Sequence, residues 1–292
     1  MLFTTNETYK NIKTVDELLK TARLDWTVEQ MDIFREDGLQ IPNTKANIRK
    51  DTNQVLGIVS TVYKPVQNKD AFDFVQELAN DLVFENAGET QDGRFVYLQA
   101  DLDERYLTDV DDNVKCKLVF TNGHDGKVAV RANIVPIIDG KPFNIPVKGT
   151  KRNFNANHTK KVDARMKVAK NTLDLAKSYL AAVMKETITL GKVAVNETQK
   201  NAFAEALFPV TNELGERSYN TVIARRADFL NRVDTDTVLG LVLAAADYVQ
   251  NPTVYRNTKD GDKNAYARFF QTGSIVDNAY KLANKMFVTK NI

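Results

Sequence analysis

The sequence predicts an α+β protein in which strands come first and helices follow, and three observations carry that expectation. Between residues 55 and 135 apolar residues run in short β-branched blocks or alternate. In the stretch from Lys115 to Phe120, Cys116, Leu118 and Phe120 fall on one face and Lys115, Lys117 and Val119 on the other. The segment Thr121-Asn122-Gly123-His124-Asp125-Gly126 supplies two glycines for positive φ and an Asn and an Asp that tolerate left-handed backbone, which marks a β-hairpin turn. From Lys160 onward the apolar spacing is mostly helical and strand signals are scarce. Strands followed by helices give the α+β arrangement, here antiparallel hairpins packed with a long helix and then a helical C-terminal region.

Taken in order, Thr14-Val15-Asp16-Glu17 has the spacing of a capping box and starts a short helix. Alternation at Trp26, Val28 and Met31 to Phe34 hints at strands that Gly38 and Pro42 interrupt. Residues 55 to 63, rich in β-branched side chains and stopped by Lys64-Pro65, read as a well-buried strand. Asn68 precedes a helix with Ala71, Phe72, Val75, Leu78, Ala79 and Leu82 at helical spacing. Strands are expected at 82–85, 95–102, 115–120 and 127–135, with a second reversal at Asp139-Gly140. Helices are expected at about 160 to 187, 197 to 207, 217 to 233, 235 to 249 and 263 to 287. These signals divide the chain into an N-terminal arm or small subdomain at 1–50, an α+β core at 51–187 and a helical C-terminal region at 188–292.

Composition removes many function classes. A single cysteine, Cys116, excludes an intramolecular disulfide, a Cys-x-x-Cys pair and a thiolate zinc cluster, and it fits a reducing, cytoplasmic compartment. The N-terminus does not resemble a secretory signal. The most apolar run, from Leu239 to Val249, is shorter than the roughly 20 residues that cross a bilayer, so no membrane partner is expected. The phosphate-loop, dinucleotide-binding, zinc-protease and nucleophile-elbow patterns are all absent, so neither a catalytic residue nor a cofactor is expected. Two histidines cannot make a three-His metal site. His124 reads as a solvated loop residue and His158 as part of a helix start. Gly123-His124-Asp125-Gly126 has the spacing of a Gly-x-x-Gly backbone clamp, but that clamp joins helices and this one joins strands. The acids Asp101, Asp103, Glu104, Asp109, Asp111 and Asp112 read as a solvated loop rather than a cation site.

The strongest asymmetry of charge lies between Lys148 and Lys177, where nine cations face two acids although the whole chain carries a formal charge of only +2. The candidate nucleic-acid-binding residues are Lys148, Lys151, Arg152, Phe154, Lys160, Lys161, Arg165 and Lys167. Cations that track phosphates beside an aromatic ring that stacks on a base are the physical recipe for holding a single strand.

Several segments together resemble the phage/plasmid-like protein family, a domain of unknown function carried by mobile elements. They are Leu56-Gly57-Ile58-Val59-Ser60 through Tyr63, Gln67-Asn68, Ala71-Phe72, the Thr121 to Gly126 hairpin, His158-Thr159 and the helix from Leu239 to Val249. The chain departs from the family pattern at Pro136-Ile137-Ile138-Asp139-Gly140 and at Asp247-Tyr248-Val249-Gln250, so no residue role is carried over there. A meander of strands followed by a long helix also resembles the core of Rad52-like annealing proteins. That resemblance implies a DNA-handling protein of phage recombination or replication in the bacterial cytoplasm, one that binds single-stranded DNA, forms homo-oligomers and needs no cofactor. The alternative is a non-catalytic protein-interaction factor of a phage, such as a host-defence inhibitor. An enzyme acting on nucleotides through Asp101, Asp103, His124 and Asp125 is a third reading.

Overall fold

Thr14 caps the first helix, its hydroxyl accepting the Glu17 amide at 3.3 Å, and α1 (Val15–Thr21) buries Val15, Leu18 and Leu19. A computed structural model describes residues 7–76, 82–90, 92–102, 114–156, 172–210, 215–251, 269–270 and 273–288. After α1 the chain forms a three-stranded antiparallel sheet from β1 (Val28–Phe34), β2 (Gln40–Arg49) and β3 (Gln54–Ser60), with β2 in the centre. The β1–β2 register passes from Asp32 opposite Lys45 to Phe34 opposite Gln40, so Pro42 falls where the ladder is irregular and its missing N–H costs nothing. Strand β3 is not the well-buried strand that its composition suggests: Leu56 and Val59 are buried, whereas Val55 and Ile58 are exposed. An edge strand covered on one face carries the same β-branched residues as a core strand, which is why composition misreads it.

Helix α2 (Asn68–Gln76) leads into the larger sheet, made of β4 (Leu82–Thr90), β5 (Phe95–Leu102), β6 (Val114–Gly123), β7 (Val130–Ile138) and the short β8 (Lys141–Pro142) in that order. A sixth strand, β9 (Asn153–Ala156), also pairs with β7, and all pairings are antiparallel. Strand β6 is buried along its length except at Lys115, so the two-faced alternation expected there is not an inside and an outside. Both faces are covered, and Lys117 is inside with its charge paired.

The helical half contributes α3 (Thr172–Gly191), α4 (Glu197–Leu207), α5 (Glu216–Leu230), α6 (Val238–Gln250) and α7 (Ile275–Ala283), which continues into a π-helical turn at Asn284–Val288. The first of these was expected from about residue 160, and residues 157–171 lie outside the described set. Asn196 and Gln199 close a reciprocal capping box on α4. Helix α6 is apolar except at Asp247 and Gln250 and contacts α3, α5, α7 and β8, as a largely buried helix must. Among the described residues no helix is long and apolar enough to cross a membrane.

The Thr121 to Gly126 segment differs most from expectation. Thr121, Asn122 and Gly123 are still strand, and His124 is 0% exposed rather than solvated. The inner face of the small sheet closes over this end of the hairpin. Asn47 Nδ2 donates to His124 O at 2.8 Å, and the Tyr63 hydroxyl donates to Gly123 O at 3.0 Å. The His124 amide donates to Arg94 O at 2.8 Å. Gly57 makes this approach possible, because a Cβ there would stand 2.7 Å from Asp125 Cα and 2.8 Å from Asp125 O. Gly57→Ala is therefore expected to lower the unfolding free energy by about 2 to 3 kcal/mol. Urea denaturation checks it, and a loss below about 0.5 kcal/mol would mean that the sheet can slide off the hairpin.

Candidate nucleic-acid interface

The chain reaches the basic segment through a tight reversal: Asp139 and Gly140 both take positive φ, at 49° and 73°. Beyond β8, Phe143, Asn144 and Ile145 are buried beside α3, where the Tyr179 hydroxyl donates to Ile145 O at 2.8 Å. Lys148 and Lys151 then emerge into solvent. Arg152 turns inward instead. Its Nη1 and Nη2 donate to the two carboxylate oxygens of Asp277 at 2.7 and 2.8 Å, and Nη1 also donates to Asn144 O at 2.8 Å. Phe154 stands on β9 opposite Ala132, half-buried against the core. Lys160, Lys161, Arg165 and Lys167 lie outside the described residues, as do His158 and all of the acidic patch except Asp101.

The structure adds partners that the local sequence does not announce. Pro146 and Lys148 form one wall of an open cleft of about 690 Å³. Its other walls are Glu186 of α3 and Tyr280, Lys281, Asn284 and Lys285 from α7 and its π turn. Lys148, Lys281 and Lys285 are all exposed, so three ammonium groups meet one carboxylate. Burial raises the Tyr280 phenol above its ordinary value, and the hydrogen bond with Glu186 adds to the shift, so Tyr280 remains a neutral O–H group. Lys281 and Lys285 are more than 130 positions from Lys148 in sequence; their spacing of four on one helix is the only local trace of the site.

A family model described as Domain of unknown function (DUF932) matches residues 55–269. The chain belongs to this family. No curated protein and no solved structure matches it. In this DUF932 chain the matched residues begin in β3 and take in α2, the larger sheet and the helices through α6. Lys148 therefore comes from the matched part, and Tyr280, Lys281 and Lys285 from beyond it.

Two other polar sites in the DUF932 chain have structural explanations. Asn68 Nδ2 donates to Leu24 O at 3.0 Å, which fixes the side-chain amide and turns Asn68 Oδ1 toward His124. His124 Nε2, at 2.9 Å from that oxygen, is therefore the donor. Asn122 Nδ2 donates to Val66 O at 2.9 Å and lies 3.3 Å from the same Asn68 oxygen. This histidine is tied to backbone and amides beneath a sheet, with no path for a substrate to reach it. The second site is Lys117, whose ammonium pairs with Glu85 and, at 2.7 Å, with Asp101. One cation cannot offset two carboxylates in so dry a place. Burial pushes the Asp101 carboxyl up to about 6, with Glu85 adding to the shift. Among the described residues no group of His, Cys, Asp or Glu is arranged to hold a metal ion.

The ion pair at Arg152 predicts a contrast. Asp277→Ala leaves a guanidinium buried without its carboxylate and is expected to cost about 3 to 5 kcal/mol in urea denaturation. Lys148→Ala, at an exposed position, is expected to change stability by less than about 0.5 kcal/mol. The Lys117 site predicts a pH dependence. A carboxyl whose folded value exceeds its unfolded one binds its proton more tightly in the native state, so stability falls as pH rises from the ordinary 3.8 through about 6. Asp101→Asn should flatten that fall, and thermal melts across the window read it; an unchanged slope would place the proton elsewhere.

Proposed function

We propose that this protein binds single-stranded nucleic acid through the cleft between Lys148 and the C-terminal helix, as a DNA-handling factor of a phage or other mobile element. The observation that carries the reading is the convergence of Lys148, Lys281 and Lys285 on one open cleft. Three flexible ammonium groups at the rim suit a phosphodiester backbone, which is held by charge wherever it lies along the groove. The Asn284 side chain and the Tyr280 hydroxyl add neutral polar groups within the same walls. Lys151 lies just beyond Lys148 on the same loop and extends the positive surface toward β9.

Arg152 has a different part in this reading. Its bond to Asp277 ties the loop that bears Lys148 to the helix that bears Lys281, so it positions the cations rather than meeting phosphate. An antiparallel sheet followed by packed helices is compatible with the resemblance to Rad52-like annealing cores, and the proposed role in recombination or replication in the bacterial cytoplasm rests on that resemblance. Fold likeness alone does not confer function, so the test concerns binding.

If Lys148, Lys151, Lys281 and Lys285 each contact a phosphate, the logarithm of affinity for an oligothymidylate should fall against the logarithm of salt concentration with a slope of about −3. Fluorescence anisotropy over a potassium chloride series reads that slope. Lys281→Glu combined with Lys285→Glu removes two of the four contacts, so the slope should shrink to about −1.4 while affinity at low salt drops at least about tenfold. Failure to bind at low salt, or a slope near zero, would remove the proposal.

A further inference from the structure

The two faces of the larger sheet differ in chemistry. Residues directly opposite each other in an antiparallel pair project from the same side, so the register sorts them. Leu98, Phe120, Ala132 and Phe154 form a cross-strand row on one side, which packs on the hydrophobic core. On the other side Thr121, Arg131 and Asn155 share one row, and Gln99, Asn133 and Asn153 fall in the next. Gln99, Thr121 and Asn133 are 0% exposed. A buried sheet face is ordinarily apolar, because amides and cations taken from water cost free energy unless each is paired. Two groups on this side find no partner among the described residues. Asn133 Nδ2 donates to Val119 O at 3.3 Å, which fixes the amide, and its Oδ1 is buried without a hydrogen-bond partner. Arg131, two positions earlier on β7, is half-buried, and its Nε is likewise buried and unpartnered. The half-buried Arg49, Arg152 and Arg232 each hold a carboxylate, whereas Arg131 holds none among the described residues. This side of the sheet opens to solvent at β9, where Asn153 is half-buried, Asn155 is exposed, and Asn155 Nδ2 donates to Asn153 Oδ1 at 3.0 Å.

We propose that this side of the sheet, around Arg131 and Asn133, binds a nucleotide whose base carries an exocyclic amine. A guanidinium without a carboxylate takes a phosphate through two parallel hydrogen bonds. An amide oxygen without a donor takes an N–H, and the exocyclic amines of adenine and cytosine are the donors that side-chain oxygens accept from in base recognition. Residues two apart on a strand stand roughly 6 to 7 Å from each other. The arginine stem adds its own reach, so the pair spans a base and its phosphate rather than the adjacent charges of an amino acid. The open end at Asn153 and Asn155 gives a ligand its way in, and their amides add further hydrogen-bonding groups along that path. The site lies on β5, β6, β7 and β9 and shares no residue with the cleft at Lys148, so it stands whether or not that cleft holds a strand.

Isothermal titration calorimetry of the full chain against mononucleotides tests the proposal. Cytidine and adenosine monophosphates should bind at least about tenfold more tightly than uridine and inosine monophosphates, which carry an oxygen in place of the amine. Arg131→Gln should weaken cytidine monophosphate at least about tenfold. The same substitution should leave the melting temperature of the free protein unchanged or higher, because the cation has no partner to lose; a lowered one would assign Arg131 to the fold. Asn133→Leu should abolish the preference for the amine, and Arg131→Gln keeps the test decisive if that buried substitution misfolds. Binding of the mononucleotides identifies a free ligand. An Arg131-dependent preference for oligodeoxycytidylate over oligothymidylate, with mononucleotides silent, identifies a nucleotide within a strand. Lys281→Glu combined with Lys285→Glu should leave the mononucleotide preference in place, which separates failure of this site from failure of the cleft. Inorganic phosphate bound as tightly as cytidine monophosphate, equal affinity for the amino and oxo bases, or affinity indifferent to Arg131→Gln overturns the proposal. So does the absence of binding by every nucleotide and oligonucleotide at millimolar concentration.

Discussion

The rest of the structure depends on the burial of polar groups at the closed end of the β6–β7 hairpin. Removing a histidine, several amides and their carbonyls from water costs several kcal/mol unless each finds a partner. Most of the partners come from stretches more than 50 positions away. Asn47 on β2 meets His124 O, Tyr63 beyond β3 meets Gly123 O, and Val66 with Asn68 at the start of α2 meets Asn122 and His124. Asn68 in turn holds Leu24 O, and Trp26 lies 5.2 Å from the His124 ring. These bonds fix the position of the small sheet and the start of α2 on the larger sheet. Polar contacts of this kind have few alternative geometries, whereas apolar surfaces alone would allow the sheet to slide.

A second set of contacts fastens the other side of that junction. Glu89 on β4 accepts from the Trp26 indole at 2.9 Å and from Arg49 at 2.7 Å, while the Arg49 guanidinium lies 4.3 Å from the centroid of the Trp26 ring. The small sheet is therefore held by its inner face and by one end of its central strand. On its other face Ala46 and Ile48 are buried, while Met31, Val55 and Ile58 are exposed.

The Arg152–Asp277 pair does the same for the cleft. Two hydrogen bonds in the plane of the guanidinium fix both distance and orientation, so the loop after β8 and helix α7 are held together although 125 positions separate the two residues. The lysines beside each partner then face a common space. A charge that local sequence places among nucleic-acid ligands here brings the other ligands together. Lys117 follows the same logic inside the sheet, where its charge is spent on Glu85 and Asp101.

What the sequence determined by itself was local. Alternation, β-branched blocks and helical spacing announced most strands of the larger sheet, the late helices and their order, because backbone periodicity needs only near neighbours. The excess of cations after Lys148 and the resemblance carried by the Thr121 to Gly126 hairpin were legible in the same way. Only the tertiary structure decided which residues are inside and which act together. His124 is a buried donor rather than a solvated loop residue because a sheet formed some 70 positions earlier closes over it. Strand β3 is half exposed because it lies at the edge of a three-stranded sheet, with Val55 and Ile58 open to water and Leu56 and Val59 buried. Arg152 binds Asp277, and Lys148 joins Lys281 and Lys285, across separations at which spacing carries no information. Burial and ion pairing depend on the whole chain's path, so a window of sequence cannot assign them.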